Sequence, residues 1–253
     1  MRDKTASQKN IILFILSYFI IWIFLFEFIL PANEILPKPS IVFLSFGALW
    51  KDYHLLINLL DTLTSVYISI FIAYFLLAFI SSYLTKPDNL LVNFFLSINR
   101  LAVYVPVFIF VIFILSWFPV SNIIEIIFAF IYAFFSLTIL FIKESQHVLK
   151  EYLEAALSLG ADEKTISKKI IWHAVQPKIF KQILKLHFNL WSILIIFEFI
   201  KGGYGLGEIF KLAFEYHDIS ALFSAAIITA ILIYLGKELI IYLQNKFCHW
   251  SFN

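Results

Sequence analysis

The chain has 253 residues, of which 62% are hydrophobic and 14% charged, with a formal net charge of +2 and a mean hydropathy of +0.91. Soluble domains carry about 45–50% apolar residues, so this composition excludes one: such a chain would expose large apolar patches and aggregate. A single cysteine, Cys248, excludes an intramolecular disulfide framework.

A hydrocarbon core about 30 Å thick needs roughly 20 helical residues to cross it. Blocks of that length or nearly so occupy residues 11–30, 63–84, 101–120, 122–142, 183–200 and 221–243. Helices are required because hydrocarbon cannot solvate backbone groups, and the blocks lack the polar/apolar alternation of a barrel strand. The sequence therefore predicts an all-α integral membrane protein with about six transmembrane helices, read as one domain over residues 1–253. The first block follows a basic segment, Met1 to Asn10. Its apolar stretch is longer than a signal-peptide core and has no small-residue cleavage site, so it is read as a retained helix.

Lys and Arg concentrate on the cytoplasmic side of membrane proteins. With the N-terminus inside, 15 of the 19 fall inside, eight of them in residues 143–185, and only Lys38, Lys51, Lys201 and Lys211 fall outside. An orientation with both termini cytoplasmic follows. The net charge reflects this asymmetry rather than a nucleic-acid surface.

The connection over residues 143–182 is far longer than the ~2–8 residues usual between bundle helices, and such length is usually functional. Glu151 to Leu159 holds good helix formers, and Gly160 follows where a left-handed C-terminal cap belongs. Asp162 can cap a second helix, Glu163 to Trp172, ending before Pro177. Glu154, Ala155 and Ala156 place two small side chains beside an acid, a knob another protein's surface can approach closely. The alternative is an amphipathic helix lying on the bilayer.

Near the end of the fifth block, Glu198 sits in the apolar run 193–200, where an ionisable side chain is by default a functional candidate. The alternative is a carboxylate that merely reaches the outer headgroups. Gly202 to Gly207 reads either as a tight turn, with 208–214 a short interfacial helix, or as a flexible loop. Asp61 reads as an exposed or capping residue.

These residues carry a resemblance. Glu154-Ala155-Ala156, three residues, then Gly160, with Ile170-Ile171 and a closing Pro177, resembles the cytoplasmic "EAA" loop of binding-protein-dependent ABC importer permeases, and it lies between the fourth and fifth spans on the positive side. Leu36-Pro37-Lys38-Pro39-Ser40, Trp117-Phe118, Glu198 ahead of Gly205-Leu206-Gly207, and Trp250 are similar to the nitrate, sulfonate and taurine branch. The departures are Trp172-His173 where the family has Leu-Pro, and Ser65, Ser69, Gln182 and Leu184 where it favours Gly or Arg.

The resemblance implies the type I importer permease fold in the bacterial inner membrane, forming the path of a small solute. A periplasmic or lipoprotein binding protein would deliver that solute. It implies that Glu154, Ala155, Ala156, Gly160 and Pro177 couple to a cytoplasmic ATPase, that Glu198, Gly205 and Gly207 belong to an outer gate, and that two copies form a homodimer. ATP would bind the partner subunit, because the chain lacks a Gly-x4-Gly-Lys-Ser/Thr loop. No cofactor, metal or enzymatic activity is expected, since no His-Glu-x-x-His, Cys-x-x-Cys or Gly-x-Ser-x-Gly occurs. The competing reading is an ATP-independent secondary transporter or channel, which would need midplane coupling acids or broken helices.

Overall fold

The computed structural model describes residues 13–14, 16–30, 36–86, 89–119, 121–148, 150–162 and 165–252. The basic tail, the start of the first expected span, Val120 and Glu163 lie outside them. Among the described residues every regular element is helical. In chain order these are α1 (Leu16–Ile29), α2 (Pro39–Lys51), α3 (Leu55–Ile80), α4 (Leu90–Ala102), α5 (Val107–Trp117), α6 (Asn122–Ser145), α7 (Lys150–Ser158), α8 (Ile166–Lys201), α9 (Leu206–Glu215) and α10 (Ile219–Phe247).

The helices α3, α6, α8 and α10 are long and apolar enough to cross a bilayer, as the second, fourth, fifth and sixth blocks predict. The described part of the first block is apolar but shorter than a full crossing. The third block departs from a straight helix over 101–120. Helix α4 ends at Ala102, α5 starts after Pro106, and the two are bent by 101°. Pro106 has no N–H to continue a helical ladder and disfavours the α conformation before it. Apolarity alone could not reveal the corner.

The contacts fall into two compact units, Met1–Leu56 with Ile209–Thr229, and Ile57–Glu208 with Ala230–Asn253. In the first, Pro39 opens α2 at a position that needs no N–H. Ser40 Oγ donates to Glu27 Oε1 at 3.0 Å, tying α2 to α1. Serine hydroxyls join α2 to the start of α10: Ser45 Oγ donates to the Ser220 carbonyl at 3.0 Å, and Ser224 Oγ donates to that of Val42 at 2.8 Å. Tyr53 Oη donates to Asp218 Oδ2 at 3.1 Å, while Asp218 Oδ1 caps α10 through the Ala221 N–H at 3.0 Å. Burial, followed by the charge of Asp218, pushes the Tyr53 phenol up to about 12.

In the second unit α6 packs along α8. A stripe on α6 at four-residue spacing, Ala129, Ala133, Leu137 and Phe141, is fully buried, as are Leu186, Leu190, Leu194 and Phe197 of α8. The alanines allow close backbone approach, which is how membrane helices gain packing energy without a hydrophobic drive. Phe128 stacks on Phe197 with centroids 5.5 Å apart. Gly236 of α10 is another close approach, because a Cβ there would overlap Tyr67 and His187. Helix α4 packs on α6, α5 on α8, and α7 on the first turn of α8.

Pro177 corrects an expectation. The second helix of the connection does not end before it but runs on into the membrane, with Pro177 inside α8. A proline leaves the carbonyl four residues earlier without its helical donor. Here that carbonyl is His173, and it accepts from Trp250 Nε1 at 3.4 Å. The helix is also held at both sides of the proline, by Gln176 Nε2 donating to Tyr74 Oη at 3.0 Å and by the ion pair of Lys178 with Glu144.

Candidate functional site

The sequence-derived candidates separate into two places. At the elbow between α6 and α8, α7 carries Glu154 and Ala155 exposed and Ala156 buried. Ala156 lies on the side of α7 that faces α8, whereas Tyr152, Ala155 and Leu159 share an outward apolar face at helical spacing. Leu159 is 87% exposed and Tyr152 61%. Gly160 has φ +79 and closes α7 as a Schellman cap: its own N–H donates to the Leu157 carbonyl at 2.9 Å, and that of Ala161 donates to Ala156 at 3.0 Å. Asp162 then starts α8, its Oδ1 accepting from the Thr165 N–H at 3.3 Å. Pro177 lies farther along α8 and is not part of this knob.

The other three candidates converge. Glu198, near the C-terminal end of α8, is completely buried, which removes the reading of a side chain reaching headgroups. Its Oε1 accepts from Thr62 Oγ1 at 2.6 Å and its Oε2 from the Gly207 N–H at 2.8 Å. The Leu206 N–H donates to Thr62 Oγ1 at 2.8 Å, and the Gly205 N–H to Asn58 Oδ1 at 3.0 Å. Three successive amides of the 205–207 turn are thus held by side chains of α3 and α8. The glycines are required sterically. A Cβ on Gly205, which has φ +95, would overlap the Glu198 carboxylate, and one on Gly207 would run into the Ile195 carbonyl. The following residues form α9, the short helix expected over 208–214.

Beside this lies a second polar group, of which Asp61 alone stands out in the sequence. Lys201 Nζ pairs with Glu125 Oε2 at 2.8 Å, with side-chain exposures of 0% and 2%. It also donates to Asn122 Oδ1 at 3.3 Å, and Asn122 Nδ2 donates to Asp61 Oδ1 at 3.1 Å. Asp61 is therefore a half-buried partner rather than an exposed cap. Glu125 was findable, since it is an acid in the apolar run 123–142, the same signal that marks Glu198. Lys201 was not, because a Lys at the end of a span normally snorkels to water. Asn58 and Thr62, one helical turn apart, become informative only when the turn is seen above them.

No group of three or more His, Cys, Asp or Glu suited to a metal occurs among the described residues. The arrangement around Glu198 is one of acceptors and donors that fix backbone; no nucleophile and base are paired in it. Its evident capacity is to hold a loop in one position.

A family model described as "Binding-protein-dependent transport system inner membrane component" matches residues 75–247. Neither a curated protein nor a solved structure matches the chain.

Proposed function

Because this chain belongs to the binding-protein-dependent transport system inner membrane components, we propose that it forms the translocation path for a small solute that a binding protein delivers and a separate cytoplasmic ATPase drives across. The family makes it a multi-pass inner-membrane permease of the ABC importer type, with the type I fold. The observation that carries the finer reading is α7: a short helix outside the apolar spans, closed by the Gly160 cap, offering an apolar face of Tyr152, Ala155 and Leu159 to a partner. Glu154 borders that face, Ala156 lets α7 sit close to α8, and Pro177, with Trp250 bonded to the His173 carbonyl it frees, lies in the helix that carries the motion into the membrane. Glu198, Gly205 and Gly207 set the outer gate.

The Lys and Arg asymmetry supports cytoplasmic termini. One coupling helix per chain and an ATPase pair imply two copies about a two-fold axis. Residues 36–40, Trp117-Phe118, Glu198 with 205–207, and Trp250 favour the nitrate, sulfonate and taurine branch. The test is co-purification from the native host. The wild-type chain is expected to bring down an ABC ATPase, and Ala155→Trp, which adds bulk to the exposed face without touching the core, is expected to lose it. Equal recovery with the Trp variant would overturn the docking role of α7.

A further inference from the structure

The outer end of α8 holds two acids and one cation away from water. Glu198 is fully buried, Glu125 is 1% exposed, and the Lys201 side chain has no exposure at all. Glu125 lies within electrostatic reach of Glu198. Each Glu198 oxygen has a donor, from Thr62 and Gly207. Glu125 Oε2 is held by Lys201, whereas its Oε1 is buried with no donor. Lys201 is therefore the ammonium that answers Glu125, and Asn122 relays it to Asp61.

Position gives the pair its significance. Lys201 is the last residue of α8, and the turn that ends in the Glu198-bound amide of Gly207 begins at the next residue, Gly202. Glu125 is in the first turn of α6. Glu198 binds the turn to α3 and to itself, while Lys201 binds the root of the same turn to α6. A loop fastened only through Glu198 could pivot about that point; a second fastening on a different helix removes the pivot. The pair is costly to desolvate, and breaking it from one side leaves a bare charge in a dry site, whereas removing both partners is tolerated far better.

The geometry points to Lys201 and Glu125 as positioning residues of the outer gate, a buried ion pair that fixes the root of the Gly202 to Gly207 turn. This rests on the permease reading, and it adds residues that the family match does not assign.

The test is hydrogen exchange at the Gly205, Leu206 and Gly207 amides in the detergent-purified full chain. Lys201→Met is expected to speed their exchange by about tenfold or more, because a bare Glu125 beside Glu198 opens the turn. Lys201→Arg keeps the charge and is expected to stay near wild type. The double variant Glu125→Gln with Lys201→Met is expected to recover most of the protection, since neither partner is left charged. Unchanged exchange in Lys201→Met would overturn the proposal. So would a double variant as open as the single one or more so, because removing the stranded charge would then restore nothing and the Lys stem would act by packing alone.

The gate role is read in parallel, as ATP hydrolysis by the complex co-purified from the native host. Lys201→Met is expected to shift it by roughly threefold or more, and the double variant to return toward wild type. Hydrolysis indifferent to Lys201→Met, with the exchange effect present, would remove the gate role and leave only an anchor. A wild-type chain that brings down no ATPase would instead sink the permease reading, while the exchange result on the isolated chain would stand.

Discussion

The indole of Trp250 donates to the carbonyl of His173, the acceptor that Pro177 leaves without a helical partner. The two residues are 77 positions apart, and their rings also meet with centroids 5.6 Å apart. A proline that would normally break a helix is accommodated by a donor from the far end of the chain. The relationship makes a sharp prediction. Trp250→Phe keeps an aromatic ring but loses the donor, and is expected to cost about 0.5–1.5 kcal/mol. In a Pro177→Ala background, where the residue-177 N–H can bond His173 directly, the same change is expected to be nearly neutral. A double-mutant cycle on thermal unfolding in detergent measures the difference; equal costs in both backgrounds would refute the substitution of one donor for the other.

Glu198 is predicted to tolerate loss of charge better than loss of polarity. In Glu198→Gln the amide oxygen can keep the Gly207 N–H, and the NH2 can donate to Thr62 Oγ1, whose own proton then turns to the Asn58 carbonyl 3.3 Å away. Glu198→Leu lets Thr62 turn to the Asn58 carbonyl in the same way but strands the Gly207 N–H in a buried site, at about 1–3 kcal/mol. Membrane abundance and melting temperature near wild type for Gln, and sharply lower for Leu, are the expected results. Equal behaviour of the two would mean that the polar contacts contribute nothing.

Gly160 and Gly205 both have positive φ, yet they are predicted to respond differently to alanine. At Gly160 a Cβ meets nothing within 4 Å, so the cost is the conformational one alone, about 1 kcal/mol. At Gly205 the Cβ overlaps the Glu198 carboxylate, so that side chain must leave its two donors. Gly205→Ala is expected to lose several times more stability than Gly160→Ala in parallel melting curves, and similar losses would contradict the overlap.

Side-specific labelling tests orientation and needs no cysteine-free background. Burial pushes the Cys248 thiol up to about 11, so at pH 7 to 8 it is protonated and shielded. An impermeant maleimide is expected to leave the folded wild-type chain unmodified and to react after denaturation. Ser158→Cys and Tyr216→Cys, both at exposed positions, are expected to label from opposite sides. Labelling from one side would defeat the orientation.

The bond between Tyr53 and Asp218 predicts an alkaline limit. A phenol held at about 12 in the folded chain, against ~10 when unfolded, keeps its proton while the unfolded chain releases one. The stability it contributes is therefore present below pH ~10 and is lost as pH rises toward 12. Tyr53→Phe is expected to flatten that decline. An unaltered slope in pH-dependent unfolding would exclude Tyr53 as its source.

Legibility in the sequence followed the range of the physics involved. Long apolar runs announced α3, α6, α8 and α10 because crossing a membrane is a local property of length and composition. Gly160 and Asp162 were readable as caps because capping is settled within a turn of chain. The corner at Pro106 was missed because hydropathy records what a segment prefers and not where it points. The continuation of α8 through Pro177 was missed because its compensating donor comes from Trp250. Glu198 could be flagged from its apolar neighbours, but the Lys201–Glu125 pair required knowing that two helix ends meet, since the same lysine on an unpartnered helix would reach for water.

The bend between α4 and α5 bears on how the chain enters the membrane during synthesis. An 11-residue helix rises only about 16 Å, roughly half the hydrocarbon core, so α5 cannot be handed to lipid as a finished segment. Its backbone ends need protein around them, and the helix it packs on, α8, is translated about fifty residues later. The ribosome must therefore deliver α6 and α8 before α5 has a settled place, and for that interval the segment depends on the insertion machinery for shelter. Changes at α8 positions facing α5 would then appear first as failed biogenesis and degradation, ahead of any defect in transport.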